Sequence, residues 1–183
     1  YEYTPSYTVA TSNGNTGFEL NESGDILLSG YGFNNSGGAT KLNHPVSISA
    51  NAGKIAVTDR FNNRVLIWNR LPRDTGQPAD VVIGQKDFIS RSPNMGKGEG
   101  RASNESMYFP RDIVVGKMGM FVSDSGNNRV LYWKEIPTEN GQPADMVFGQ
   151  TNFYDNRHNR NGQANASTLN DPYGMWLEEQ LVQ

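Results

Sequence analysis

Apolar residues along this chain come in short runs that alternate with clusters of Gly, Asn, Asp and Pro. Between residues 45 and 83 such runs occupy residues 46–49, 54–58, 64–68 and 80–83. Runs of this length, rich in β-branched and aromatic side chains and separated by turn residues, predict β-strands joined by short turns. We therefore expect a four-stranded meander in this part of the chain.

The third of these runs, Val65-Leu-Ile-Trp68, is apolar at every position. A strand with one solvent-facing side alternates apolar and polar residues, whereas a strand covered on both faces is apolar throughout. Because this run shows no alternation, it predicts a sheet that is packed between two other layers.

A sequence repeat covers much of the chain. Residues 57–88 align without a gap on residues 122–153, at an offset of 65, and 18 of the 32 positions are identical. The shared frame reads V-x-D-x-x-N-N-R-V-L-x-W and continues after a Pro as G-Q-P-A-D-x-V-x-G-Q. Three units each open with a Pro, at Pro45, Pro110 and Pro172. Such a repeat predicts a fold assembled from similar stacked units.

The third unit is divided between the two ends of the chain. It begins in residues 169–183, and residues 7–33 resemble its remaining strands. The chain would then hold three units, at about 42–88, at about 107–153, and split between the two ends, within one domain spanning residues 1–183. Repeated four-stranded sheets packed face to face describe the blades of a β-propeller. The predicted fold is therefore all-β, a β-propeller of four-stranded blades, with a β-sandwich ranked second.

The repeat also resembles a known family. The motif P-x-x-(I/V)…V-x-D-x-x-N-N-R-V-L-x-W resembles the NHL repeat, and the extension G-Q-P-A-D-x-V-x-G-Q resembles the long form found in bacterial, exported NHL-repeat proteins. The resemblance covers residues 42–88 and 107–153 and is partial at both ends. It implies a six-bladed propeller and favours a secreted or periplasmic bacterial protein.

Three blades are too few to close a ring, because propellers have about four to eight blades. Since the resemblance implies six, two copies of this chain would supply the full number. We therefore expect a homodimer of half-propellers, in which one copy gives the first strand of the split blade and the other copy gives the rest. The alternative is that the chain is a fragment of a longer propeller.

An Asp, an Arg and a Trp recur at matching positions in both intact units, and we expect these six residues to be structural because a catalytic residue is needed only once. They are Asp59, Arg64, Trp68, Asp124, Arg129 and Trp133. Each Asp ends the second strand of its unit, each Arg begins the third, and the Asn-Asn pair between them suits a tight turn. We expect the Arg to fold back toward the Asp or toward neighbouring carbonyl groups, and the Trp side chains to lie in the core.

Candidate binding residues lie where the units differ. The connections at about 89–109 and 154–171 are long, and the turns between the second and third strands differ in sequence. In a propeller both kinds of loop lie on one face, where a rigid scaffold leaves loops free to vary. The residues singled out there, or just after a repeat Pro beside the channel, are Arg60, Phe61, Arg91, Tyr108, Arg111, Tyr154, His158 and Tyr173. They predict a polar and aromatic recognition surface.

Composition and motifs exclude several classes of ligand and reaction. Sixteen Lys and Arg against nineteen Asp and Glu leave a net charge of −3 at pH 7, which argues against nucleic-acid binding. The absence of Cys excludes thiolate chemistry, and no apolar run is long enough to span a membrane. No nucleophile, phosphate-loop or metal-site motif is visible, so no cofactor is expected.

These observations favour a non-enzymatic binding module whose ligand is a protein, a peptide or a carbohydrate. The alternative is a propeller lyase or hydrolase with its active site at the mouth of the channel. Some NHL-like lyases hold zinc with several His side chains, and His44 and His158, the two His residues of this chain, do not reproduce that set. RNA binding, which occurs in some NHL domains, ranks third because the chain has no basic stripe.

Overall fold

A computed structural model of the chain describes Leu28 and residues 37–178. These residues form two four-stranded antiparallel sheets, in the orders β1-β2-β3-β4 and β5-β6-β7-β8. The strands are β1 (Pro45–Asn51), β2 (Lys54–Asp59), β3 (Arg64–Trp68), β4 (Val81–Ile83), β5 (Pro110–Gly116), β6 (Gly119–Asp124), β7 (Arg129–Trp133) and β8 (Met146–Phe148). The all-β prediction is confirmed, and each intact repeat is one meander sheet.

The turn between the second and third strands is the same in both sheets. A short 3₁₀ turn, Arg60–Asn62 in the first sheet and Ser125–Asn127 in the second, is followed by Asn63 or Asn128. Both Asn residues adopt the left-handed backbone conformation, with φ of 53° and 54°. Asn tolerates this conformation better than most residues, which explains the N-N-R element of the repeat.

The two sheets pack face to face over one apolar core. Side chains of the first sheet, including Val65, Ile67 and Ile83, meet Ile113 and Leu131 of the second. All five residues of β3 are buried, as its uninterrupted apolar sequence predicted. The other face of the first sheet is covered by a second cluster of Leu42, Val57, Leu66, Trp68, Ala79 and Val82, against which Leu28, Ile55 and Phe88 are packed.

The first strands of the two sheets, β1 and β5, are joined by side-chain hydrogen bonds. Ser47 Oγ donates to Asp112 Oδ1 at 2.6 Å, and the backbone N–H of Val115 donates to Ser49 Oγ at 2.9 Å. Hydroxyl groups on β1 thus connect to β5 at the edge where the two sheets approach one another. This brings the residues that follow Pro45 and Pro110 close together.

Equivalent apolar positions of the two sheets differ sharply in exposure. Ile113 on β5 is 2% exposed, whereas its repeat equivalent Ile48 on β1 is 60% exposed. At the other end, Ile83 on β4 is 0% exposed and its equivalent Phe148 on β8 is 43% exposed. The difference arises because Ile113 and Ile83 lie between the two sheets, and no further described sheet covers Ile48 or Phe148.

The outward side of the second sheet is called the open face below. It consists of Phe121, Val130, Tyr132, Met146 and Phe148, none of which is fully buried. The ring centroids of Phe121 and Tyr132 are 4.6 Å apart, and those of Phe121 and Phe148 are 6.3 Å apart. The open face is therefore a continuous aromatic and apolar surface.

The opening of the third unit runs beside the second sheet. The carbonyl oxygen of Pro172 accepts hydrogen bonds from Ser123 Oγ and Ser125 Oγ, and the N–H of Met175 donates to Asp112 Oδ2. Residues 169–178 nevertheless form no strand. Residues 7–33, which carry the rest of the predicted split unit, lie outside the described residues apart from Leu28. Over the described part of the chain, no helix has the length and apolar character needed to cross a membrane.

Candidate functional site

A buried ion pair connects the ends of the first sheet. Arg64 Nε donates to Asp59 Oδ2 at 2.7 Å, and both side chains are completely buried. The other guanidinium nitrogens donate to the carbonyl oxygens of Phe88, Gly38 and Lys41. One side chain thus holds the segment before β1 and the segment after β4 against the turn between β2 and β3.

The second sheet repeats this network with different neighbours. Arg129 Nε lies 2.7 Å from Asp124 Oδ2, again with both side chains fully buried. The guanidinium also donates to the carbonyl oxygens of Phe153, Ser103 and Ser106. Since each pair uses its donors and acceptors inside its own repeat, neither is placed to act on a ligand.

Burial raises the pKa of the Asp59 and Asp124 carboxyl groups, because a charge is poorly solvated in the interior. The neighbouring Arg guanidinium opposes this effect, as do a backbone N–H and an Asn side chain. For Asp124 the backbone donor is Tyr108 at 2.7 Å and the amide donor is Asn127 at 2.8 Å. These donors keep a buried charge tolerable, so the loss of one of them is expected to be costly.

The repeated Trp residues close the long connection between the third and fourth strands. Trp68 Nε1 donates to the Gln77 carbonyl oxygen at 3.0 Å, and Trp133 Nε1 donates to the Gln142 carbonyl oxygen at 3.1 Å. Both side chains are buried. The Gln of each G-Q-P-A-D element therefore lies where the indole can reach it.

Four aromatic rings from both sheets form a row that we call the aromatic ladder: His44, Phe61, Phe109 and Tyr108. The centroid distances are 4.3 Å between His44 and Phe61, 5.5 Å between Phe61 and Phe109, and 4.5 Å between Phe109 and Tyr108. The guanidinium carbon of Arg60 lies 5.3 Å from the Phe61 centroid and 5.5 Å from that of Phe109. Such distances allow cation–π attraction.

Backbone hydrogen bonds set the positions of these rings. The N–H of Phe61 donates to the Asn43 carbonyl oxygen at 3.1 Å, which holds the β2–β3 turn against the segment before β1. The N–H of Phe109 donates to Asn63 Oδ1 at 2.9 Å. His44 and Phe109 both have positive φ, at 54° and 48°, immediately before a repeat Pro. The ladder is therefore fixed by the repeat geometry itself.

A groove of about 490 Å³ runs along the ladder, and Phe61, Arg91, Glu99, Tyr108 and Phe109 are among the residues that line it. Tyr108 Oη donates to Glu99 Oε1 at 2.7 Å. Partial burial and this acidic neighbour raise the pKa of Tyr108 to about 12. The phenol therefore stays protonated near neutral pH and holds Glu99 at the edge of the groove.

A smaller cavity of about 230 Å³, called the arginine cavity below, lies where β1 and β5 begin. Arg60, Arg111, Asp112 and Tyr173 are among its lining residues. Arg111 Nη1 lies 3.0 Å from Asp171 Oδ2, and its guanidinium carbon lies 4.0 Å from the Tyr173 ring centroid. The structure thus brings together three of the predicted binding residues, Arg60, Arg111 and Tyr173.

Tyr154 and His158 lie in the connection that follows β8. Tyr154 is exposed and lines a cavity of about 380 Å³ together with Arg157 and Arg160. His158 is exposed and begins the short 3₁₀ turn His158–Asn161. Tyr154 is therefore placed beside a different cavity from the one that contains Phe61, Arg91 and Tyr108.

Three residues of the groove, Asn63, Glu99 and Phe109, were missing from the predicted set, and so was His44 of the aromatic ladder. His44 and Phe109 occupy the same repeat position just before the Pro, where an exposed ring next to a variable turn was a usable signal. Glu99 gave no such signal. It lies in a Gly-rich stretch, and it contacts Tyr108 only because of the way the β4–β5 connection folds.

Within Leu28 and residues 37–178, no group of three or more His, Cys, Asp or Glu side chains could hold a metal ion. The chain matches no protein-family model, and no curated protein matches it. The resemblance to NHL repeats therefore stays a prediction that depends on the repeat motif.

Proposed function

We propose that this protein is a binding module that takes an extended peptide segment of a partner protein into the groove along the aromatic ladder. The observation that carries this proposal is the ladder itself, a row of four rings in which the guanidinium of Arg60 lies over Phe61 and Phe109. Exposed aromatic and Arg side chains supply much of the binding energy in protein interfaces.

The ring geometry favours a peptide over a carbohydrate. A sugar ring stacks on an open aromatic face, and here His44 lies against one face of Phe61 while Tyr108 and Phe109 lie against one face of each other, which reduces the open ring area. The groove also contains the Arg91 side chain and the Glu99 carboxylate. Apolar walls with a few charged groups suit the alternating side chains of an extended peptide.

The test is selection of ligands from a random peptide library, with a panel of glycans offered in parallel. The deciding variant is Phe61→Ala, because Phe61 is exposed and its removal should leave the core intact. The matched control is Leu71→Ala, which removes an exposed apolar side chain from the β3–β4 connection. Phe61→Ala should weaken selected peptides about tenfold or more, whereas Leu71→Ala should not change their affinity.

Two results would reject this function. The library could yield no peptide above background, or every selected peptide could bind Phe61→Ala as tightly as wild type. Glycan binding that is lost in Phe61→Ala would replace the peptide by a carbohydrate. The lyase or hydrolase alternative stays a prediction.

We further propose that the two sheets are blades of an NHL-like propeller, and that a second copy completes it. The support is the exposure of repeat-equivalent positions: Ile48 and Phe148 are exposed where Ile113 and Ile83 are buried by a neighbouring sheet. Leu28 packs against the outer side of the first sheet, as expected if residues 7–33 form part of a preceding blade. In this proposal a sheet built from residues 169–183 of one copy and 7–33 of the other covers the open face.

Light scattering during gel filtration tests the assembly. A dimer is expected for wild type, and Phe148→Asp should convert it to a monomer because a charge would be buried against the added sheet. Leu71→Asp places the same charge on an exposed site away from the open face and should leave the dimer intact. A monomeric wild type would instead support a fragment of a longer propeller.

A further inference from the structure

The two Arg side chains that line the arginine cavity have N–H donors without acceptors. We propose that this cavity binds a carboxylate group of a ligand between the side chains of Arg60 and Arg111. This site goes beyond the peptide groove and does not depend on it, because its lining is formed mainly by residues at the start of β1 and β5.

Arg60 is the first part of the argument. Its side chain contacts the rings of Phe61 and Phe109, and it forms no hydrogen bond or ion pair with another described residue. Its Nε atom is buried and has no partner. An Arg side chain carries five N–H donors and a permanent charge, so a buried donor without an acceptor is costly.

Arg111 is the second part. Its Nη1 is paired with Asp171 at 3.0 Å, and the Tyr173 ring lies against its guanidinium. The side chain is only 15% exposed, and its Nε atom is also buried without a partner. Stacking on one side and an ion pair at one nitrogen hold the guanidinium in place while leaving donors available. Both Arg60 and Arg111 therefore line the cavity, and each has a buried Nε–H group without an acceptor.

The remaining charges favour a monoanion. Asp171 is used by Arg111. The carboxylate of Asp112 accepts from Ser47 Oγ, from its own neighbour Ile113 N–H and from Met175 N–H. A phosphate dianion would lie close to the carboxylates of Asp112 and Asp171, which repel a second negative charge on the ligand. Of the two Arg residues that line the cavity, Arg60 is the one without an acidic partner among the described residues, and the two oxygens of a single carboxylate fit the geometry of its guanidinium.

The size of the cavity points to the same ligand. A volume of about 230 Å³ accepts a carboxylate with a short carbon stem, and Val46 provides an apolar wall beside the guanidinium groups. Arg60 also touches the aromatic ladder, so the same side chain borders both sites. An acidic side chain or a C-terminal carboxylate of a peptide could therefore occupy the cavity.

The experiment follows the Arg Nε–H resonances of the full chain by NMR during titration with sodium acetate. Sodium chloride keeps the ionic strength constant, and Arg60→Gln and Arg111→Gln assign the two signals. We expect saturable shifts at Arg60 and Arg111 and no shift at Arg73, which is exposed on the β3–β4 connection. Arg60→Gln should weaken acetate binding about tenfold or more, and Arg73→Gln should not change it.

Three further probes identify the source of the carboxylate: an acetylated alanine tripeptide with a free C-terminus, its amidated form, and an amidated form with an internal aspartate. Shifts with the free C-terminus alone assign the site to a chain end, and shifts with the internal aspartate assign it to acidic side chains. Shifts with acetate alone would support a site for small free carboxylates.

The proposal is overturned if acetate shifts neither Arg60 nor Arg111, if Arg73 shifts in parallel, or if phosphate binds more tightly than acetate. Thermal unfolding of Arg60→Gln checks that the variant is folded. The peptide groove is tested separately by Phe61→Ala, so failure of one site leaves the other result readable. Acetate binding without any selected peptide would support the carboxylate site and reject the proposed peptide function.

Discussion

The guanidinium Nε of Arg129 lies 2.7 Å from Oδ2 of Asp124, and the same guanidinium reaches three backbone carbonyl groups. An ion pair that is buried this deeply gains stability only when its remaining hydrogen-bonding groups are satisfied. Here the carbonyl groups belong to the segments before and after the sheet, so the pair fixes the loops that carry the groove.

Replacement of this Arg should strongly destabilise the protein. Arg129→Met leaves the buried Asp124 carboxylate without its positive partner and removes the guanidinium donors from three carbonyl groups, and we expect a loss of about 3–5 kcal/mol in the free energy of unfolding. Arg129→Lys should lose less, because a Lys can still pair with Asp124. Urea denaturation measures both, with the exposed Arg157→Gln as the control. A loss below about 1 kcal/mol for Arg129→Met would contradict this role.

A methyl group at Gly126 should displace Tyr108. An added Cβ would lie 2.6 Å from the Tyr108 carbonyl oxygen and 2.7 Å from its Cγ atom. Gly126→Ala should therefore cost about 1–3 kcal/mol and break the hydrogen bond from Tyr108 to Glu99. Gly100→Ala is the matched control, because nothing lies within 4 Å of its Cβ position. Urea denaturation of both variants tests the prediction, and equal stabilities would refute it.

The titration of Tyr108 should be delayed on the alkaline side. Its pKa is raised to about 12, above the value near 10 expected for an unfolded chain. Its contribution to stability should therefore be complete below pH about 10 and disappear as the pH rises toward 12. The difference in phenolate absorbance between wild type and Tyr108→Phe should have its midpoint near pH 12.

Two variants check the cause of that shift. Glu99→Gln should lower the midpoint, because it removes the acidic neighbour while leaving the partial burial of the phenol. Glu105→Gln, an exposed Glu in the same connection, should leave it unchanged. A wild-type midpoint near pH 10 would show that the phenol and Glu99 do not interact in solution.

Two Asn residues at the same repeat position should have equal structural roles and different effects on the groove. Asn63 binds the Arg91 carbonyl oxygen and the Phe109 N–H, and Asn128 binds the Asn156 carbonyl oxygen and the Asp171 N–H. Each change to Ala should cost about 2–3 kcal/mol, since two hydrogen bonds are lost at a residue with positive φ.

Only Asn63→Ala should disturb the aromatic ladder, because only Asn63 anchors Phe109. The NMR signals of the Phe61 ring protons should move in Asn63→Ala and stay unchanged in Asn128→Ala. Urea denaturation supplies the stability comparison. Equal movement of the Phe61 signals in both variants would mean that the signals report general loosening, and the assigned anchor would be wrong.

The strand pattern could be derived without the structure. The β-branched and aromatic runs separated by Gly, Asn and Pro became β1 to β4, with β1 extending to Asn51 and β4 beginning at Val81. The apolar run of β3 correctly indicated a strand buried on both faces. The repeat led to a second sheet of the same order. These features depend on side-chain alternation and turn chemistry over a few neighbouring residues, so they are readable locally.

The site could be derived only in part. Phe61, Arg91 and Tyr108 were singled out because the repeat units differ there, and they line one groove. The sequence contained no sign that Arg60 lies over the Phe61 and Phe109 rings, or that Glu99 reaches Tyr108. Which side chains meet across loops depends on how the connections fold over the scaffold.

The amino-acid sequence alone therefore specified an all-β chain with two similar sheets, because strand propensity and turn chemistry act between near neighbours and the second repeat carries the same pattern. The tertiary structure alone decided that Arg60 and Arg111, which belong to different repeats, line one cavity. It also decided that Ile113 is buried while its repeat equivalent Ile48 is exposed. Both results come from the packing of one sheet on the next, which no stretch of sequence contains by itself.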